Sequence, residues 1–245
     1  MDAKSYLENF NCIEAKLQAI KGIIELSCDK FDSNRKISTY KAFASEEPLP
    51  SDEAQINREL FNTLYGSDFK NNDSFIIKRK VINDIVGSNW TKNYLHIFFV
   101  NDKTNQSKLS LVFRFSMTET FNYANLDDIS DDSAYWLMDN GTVEAFNNSD
   151  DSFSNIMRSF REGVGTKISK KSNSKLTEYI TYDMSKLLLF KGFEQDIVYE
   201  LMCKKEGYDI RVGLQTLIDD KDRIHHYDIG GAITKGYYDL GNLKP

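Results

Sequence analysis

Histidine is the scarcest group in this chain able to bind a metal or move a proton near neutral pH, and two of its three histidines, His225 and His226, are adjacent. In a strand, neighbouring side chains point to opposite faces, so this pair cannot chelate one ion. His226 and Asp228 would share a face, and His96 from another strand would complete a three-ligand site or an acid/base pair. His226, Asp228 and His96 are therefore the candidate catalytic residues, with a divalent metal as the candidate cofactor. Asp127, Asp128, Asp131 and Asp132 form a second concentration of ligating groups, followed by Asp150 and Asp151. Clustered carboxylates hold Mg²⁺ or Ca²⁺, but the order of a calcium-binding helix-loop-helix is absent. Such a cluster also serves to present negative charge to a basic surface, or simply as a solvated loop that caps helix ends.

Phosphate chemistry has one candidate stretch. Gly163, Gly165 and Lys167 superficially resemble a phosphate-cradling loop, but the spacing fails the G-x-x-x-x-G-K-[ST] pattern, and the segment follows a predicted helix rather than a strand. Arg158, Arg161, Lys167, Lys170, Lys171 and Lys175 make this the most basic stretch of an acidic chain. They are the candidate contacts for a phosphate backbone or an acidic partner, on what reads as a glycine-containing loop from Gly163 to Lys175. No nucleophile elbow, C-x-x-C or H-E-x-x-H pattern occurs. Tyrosines are dense in the C-terminal third, at Tyr199, Tyr208, Tyr227, Tyr237 and Tyr238, and would suit a small-ligand pocket as well as they suit a core.

The elements that must position these groups begin with a helix over residues 3–29. Tyr6, Phe10, Ile13, Leu17, Ile20 and Ile24 alternate spacings of four and three, a repeat that favours a seam against another helix. These six are the candidate partner-binding or self-association residues. Leu7, Ile23 and Leu26 broaden the stripe, as in a helix packed on its own domain. After a polar connection carrying Pro48 and Pro50, a helix is expected to about Tyr65. Strands are expected over Phe75 to Ile82, Tyr94 to Val100 and Lys108 to Met117, the last two as a hairpin. Asp139-Asn140-Gly141 between two short apolar runs predicts a second hairpin. Phe153, Ile156, Met157 and Phe160 predict an amphipathic helix. A meander follows over Leu176 to Tyr182, Ile197 to Lys204, Tyr208 to Ile218 and Arg223 to Ile229, with Asp183 to Lys191 open between helix and strand.

The fold class expected is α+β: a long N-terminal helix with a mainly antiparallel, hairpin-rich β-sheet body. Residues 1–30 form a helical arm, and residues 31–245 a single domain. The 245 residues are 40% hydrophobic and 28% charged, an ordinary globular composition, with sixteen Phe and thirteen Tyr against three Pro. A formal charge of −6 gives no general pull toward nucleic acid or anionic lipid. The polar start lacks a signal peptide's apolar run, so a cytoplasmic protein is expected, with no membrane partner. Cys12, Cys28 and Cys203 are an odd number, and the first two would stand about 24 Å apart on one helix, beyond disulfide reach. Abundant Asn, Ser, Lys and Ile hint at a low-GC bacterium or its phage. The functional expectation is a non-enzymatic protein-protein interaction factor, accessory or inhibitory, with a protein partner or self-association. A metal-dependent hydrolase of nucleic acid or a nucleotide and a small-ligand-binding module are the alternatives.

Overall fold

A computed structural model describes residues 49–70, 72–122, 124–147, 152–171, 176–187, 193, 195–206, 208–218, 236–238 and 241–244. The expected helix at residues 3–29 and the strand over 223–229 lie outside these. Helices stand beside antiparallel sheets, as the composition and hairpin signals predict. In chain order the elements are α1 (Ser51–Tyr65), β1 (Ser74–Ile77), α2 (Arg79–Ser88), β2 (Tyr94–Asn101), β3 (Leu109–Ser116), β4 (Ser133–Leu137), β5 (Val143–Ala145), α3 (Phe153–Glu162), α4 (Val164–Ser169), β6 (Tyr179–Asp183), α5 (Met184–Leu187), β7 (Ile197–Glu206), β8 (Asp209–Ile218), β9 (Gly236–Tyr238) and β10 (Gly241–Lys244).

The strands form two sheets, one ordered β1-β7-β8-β9 and the other β10-β6-β2-β3-β4-β5. Both expected hairpins form. β2 pairs with β3 in register from Tyr94 opposite Ser116 to Asn101 opposite Leu109. Every residue of β3 is buried, which follows from its nearly unbroken apolar sequence and the cover on both of its faces. Leu111, Phe113 and Phe115 alternate onto the face toward the other sheet, where the Phe113 and Tyr199 rings lie 6.0 Å apart. Val112 and Arg114 take the opposite face. One apolar cluster runs through both sheets, α1, α2, α3 and α4.

Three expectations need correction, and one segment left open is described in part. The strand read over Phe75 to Ile82 stops at Ile77, because Val81, Ile82, Ile85 and Val86 recur at helical spacing and turn α2's apolar face inward. The segment read as a loop from Gly163 carries α4 over its first part. Val164 and Ile168, four residues apart, bury one side of that turn. The meander is divided: β6 lies between β10 and β2 in the six-stranded sheet, while β7 and β8 form the long hairpin of the other. Asp183 to Lys191 begins with the end of β6 and one helical turn at α5; residues 188–191 lie outside the description.

The β4–β5 turn joins the two sheets. Gly141 has φ +76°, and its carbonyl accepts from Lys78 N at 2.9 Å, just beyond β1. A Cβ there would meet Ile76 O at 3.2 Å and Lys78 Cγ at 3.3 Å. Gly141→Ala is expected to cost about 1–2 kcal/mol through the left-handed backbone alone. A urea midpoint equal to that of the parent chain would show that this turn does not constrain the fold.

Candidate functional site

The six-stranded sheet carries a charged group where its sequence is most apolar. Arg114 on β3 pairs in register with His96 on β2, and His96 with Thr181 on β6, so the three share one face. Arg114 is 1% exposed. Its Nε donates to Asp132 Oδ2 at 2.7 Å, and its two terminal nitrogens donate to the carbonyls of Leu126 and Asp128, each at 2.6 Å. The Phe121 ring lies 4.0 Å and the Phe153 ring 4.8 Å from the guanidinium carbon, close enough for cation–π attraction. Burial pulls the guanidinium pKa down from its usual value, and Asp132, then Asp128 and Asp127, oppose the shift. A buried charge persists only when so compensated.

His96 is fully buried beside this group. Its Nε2 lies 2.9 Å from Thr118 O and its Nδ1 3.0 Å from Thr181 Oγ1. A carbonyl only accepts, so Nε2 carries a hydrogen and donates it to Thr118 O. Phe121, 4.7 Å away, and Tyr179, 5.8 Å away, complete the enclosure. Both ring nitrogens face protein groups, so this imidazole serves to hold the connection after β3 against the sheet. His226 and Asp228 lie outside the described residues. The described residues contain no group of three His, Cys, Asp or Glu side chains able to hold a metal ion.

The acidic cluster is spread over separate structural bonds. Asp132 takes Arg114. Asp127 accepts from Ser154 N at 2.8 Å in the first turn of α3, and Asp128 accepts from the amide and hydroxyl of Ser130. Asp150 and Asp151 lie outside the description. This is the capping use of the cluster, with the α3 end supplying unpaired amides.

The basic candidates are likewise dispersed. Arg161 forms an ion pair with Glu178, and Lys171 reaches Asp68 and the Leu64 carbonyl. Lys167 donates to Ser107 O at 3.3 Å, Lys170 is exposed, and Lys175 lies outside the description. Arg158 donates to Asn155 Oδ1 at 2.6 Å and lines an open polar depression of about 390 Å³ with Asn101, Gln106, Ser159 and Glu162. Its floor is already knitted together: Asn101 Nδ2 donates to Ser159 O at 2.9 Å, and Ser159 Oγ to Gln106 Oε1 at 3.0 Å. A Cβ at Gly163 would stand 2.5 Å from Asn101 Nδ2 and 2.9 Å from Ser159 O, so a side chain there would force these groups to shift. Tyr199 and Tyr208 do not converge. Tyr199 is buried, its hydroxyl pKa raised by desolvation, whereas Tyr208 is 96% exposed at the far end of the β7–β8 hairpin. Tyr227 lies outside the description, and Tyr237 and Tyr238 are placed only by their register on β9.

A different surface stands out on the four-stranded sheet. Ile76, Val198 and Leu217 form a cross-strand row, Ile76 opposite Val198 and Val198 opposite Leu217, on the side away from Tyr199 and Leu201. Ile76 is 52% exposed, and Val198 and Leu217 are half-buried. Neither this row nor Arg114 was singled out by the sequence. The available signals were a lone Arg within the run Leu-Val-Phe-Arg-Phe of β3 and an apolar residue at every position of Phe75–Ile77, where strict alternation would mark a half-buried strand.

Two outcomes follow from this geometry. Arg114→Met strands the Asp132 carboxylate and is expected to cost about 3–5 kcal/mol, whereas Arg114→Met with Asp132→Leu recovers much of the loss. Equal losses in the single and double variants by urea denaturation would show that the two side chains are not coupled. The Cys203 thiol is fully buried and pushed up to about 12, so iodoacetamide at pH 8 should leave it unmodified in the native chain and label it after denaturation. Native-state labelling in peptide mass maps would contradict that burial. No protein-family model, no curated protein and no solved structure matches this chain.

Proposed function

We infer that this chain is a non-enzymatic interaction factor of the cytoplasm that binds a protein partner or a second copy of itself, with the stripe Tyr6, Phe10, Ile13, Leu17, Ile20 and Ile24 as part of its binding apparatus. The row Ile76, Val198 and Leu217 carries the reading. Apolar side chains scattered singly on a surface are ordinary, but a contiguous row across paired strands is a surface suited to another protein. The groups with the most chemical potential in the described body point the same way. His96 and Arg114 are buried and bonded, with Asp132, to internal partners, and Cys203 is buried in the core. No described helix is long and apolar enough to cross a membrane.

The reading is tested by affinity purification of the tagged full chain from its native host, followed by light scattering on the eluted complex. A stoichiometric partner or a defined homo-oligomer is expected, and Val198→Glu should reduce its recovery at least tenfold, the effect of losing about 1.4 kcal/mol of interface. A chain recovered alone and monomeric would remove the proposal.

A further inference from the structure

The turn between β4 and β5 holds the chain's only Asn-Gly pair, Asn140–Gly141. Before a glycine, an asparagine side chain meets least obstruction on its way to the following backbone nitrogen, because no Cβ stands beside that nitrogen. The Asn140 side chain is exposed to water, yet its amide oxygen is held in place. Thr142 N donates to Asn140 Oδ1 at 3.0 Å, and Thr142 Oγ1 donates to the same oxygen at 2.6 Å. On the main chain, Gly141 N donates to Met138 O at 2.9 Å, which fixes the plane of the Asn140–Gly141 peptide. Two donors on one amide oxygen form the arrangement that stabilises an oxyanion, and this oxygen is where negative charge develops if Asn140 Cγ is attacked.

We propose that Asn140–Gly141 is a site of self-modification, in which Gly141 N closes on Asn140 Cγ while Thr142 holds the oxygen of the adduct. In the step, Gly141 N gives up its hydrogen bond to Met138 O, loses its proton to solvent and bonds to Cγ. Charge collects on Oδ1 against Thr142 N and Oγ1. The adduct then collapses: the C=O bond re-forms, and the side-chain nitrogen takes a proton from water and leaves as ammonia. The cyclic imide that remains takes up a water at either carbonyl. Opening at the side-chain carbonyl gives Asp at position 140, and opening at the main-chain carbonyl gives an isoaspartyl linkage. Both products place a carboxylate next to Asp139, which pairs with Lys108. The isoaspartyl product also adds a carbon to the main chain directly before Gly141, whose carbonyl accepts from Lys78 N at 2.9 Å. It therefore lengthens the turn at the point where the two sheets are joined. This chemistry is independent of the interaction reading above.

The test is incubation of the full chain in mildly alkaline buffer, followed by peptide mass maps and an isoaspartyl methylation assay. Asn140 should convert faster in the native chain than in the same chain held in guanidinium chloride. Thr142→Val should slow the native conversion about tenfold, less than the loss of about a hundredfold or more for a donor in an enclosed oxyanion hole, because water reaches this turn. Thr142→Ser keeps the hydroxyl and should retain the parent rate. Native conversion at or below the rate in denaturant would overturn the proposal, as would Thr142→Val converting at or above the parent rate, since the two bonds would then hold the amide away from Gly141. A Thr142→Ser chain as slow as Thr142→Val would also overturn it, by assigning the effect to the shape of the turn rather than to the hydroxyl. The separated isoaspartyl form is expected to have a lower urea midpoint than the parent, and an equal midpoint would refute the effect on the sheet junction.

Discussion

A guanidinium withdrawn from water in the middle of an apolar sheet is the constraint on which much of this structure depends. Arg114 cannot be neutralised in the ordinary pH range, so its site must supply an anion and acceptors for its remaining hydrogens. Asp132 and the carbonyls of Leu126 and Asp128 do so, and all three come from the connection between β3 and β4. A connection of that length without strands would ordinarily be loose. Here its backbone is fixed by the charge beneath it. Phe121 from the same connection lies over both Arg114 and His96, and Asp127 reaches α3, so one buried cation organises a loop, a helix end and an imidazole pocket.

The second organising feature is the junction between sheets. Gly141 adopts a left-handed backbone in the β4–β5 turn and brings its carbonyl to the amide of Lys78, which caps β1 and begins α2. Phe113 and Tyr199 make the corresponding contact in the interior. The β1 strand is thereby held beside β7, and Ile76 is directed outward, away from the interior that Phe75 and Ile77 fill. The outward position of Ile76 is thus a consequence of how the chain is anchored just beyond the end of β1.

These two features divide the molecule chemically. On the six-stranded sheet Arg114, His96 and Thr181 turn inward and are bonded to internal groups, which makes that face costly to rearrange. On the four-stranded sheet Ile76 turns outward, and Arg211 Nε, Gln215 Oε1 and Thr216 Oγ1 are buried without a hydrogen-bond partner.

Much of the architecture was legible in local chemistry. The β2–β3 and β4–β5 hairpins were marked by turn residues between aromatic and branched runs, and α3 by Phe153, Ile156, Met157 and Phe160, because turn geometry and helical periodicity act over a few residues. The boundary inside residues 75–82 was not, since Ile76, Ile77, Val81 and Ile82 suit either a strand or a helix until packing chooses. The candidate site was largely illegible. His96 looked like a ligand because histidine is rare here, but its surroundings come from Thr118, Phe121 and Thr181, far apart along the chain. The basic residues from Arg158 to Lys171 looked like one patch, but Glu178 and Asp68 draw Arg161 and Lys171 apart. By itself the sequence determined the composition class, the hairpins and the amphipathic faces, all properties of near neighbours. Only the tertiary structure decided which charge is buried, which imidazole is enclosed and which isoleucine of β1 remains outside, because burial and partnership depend on residues that meet only after the chain has folded.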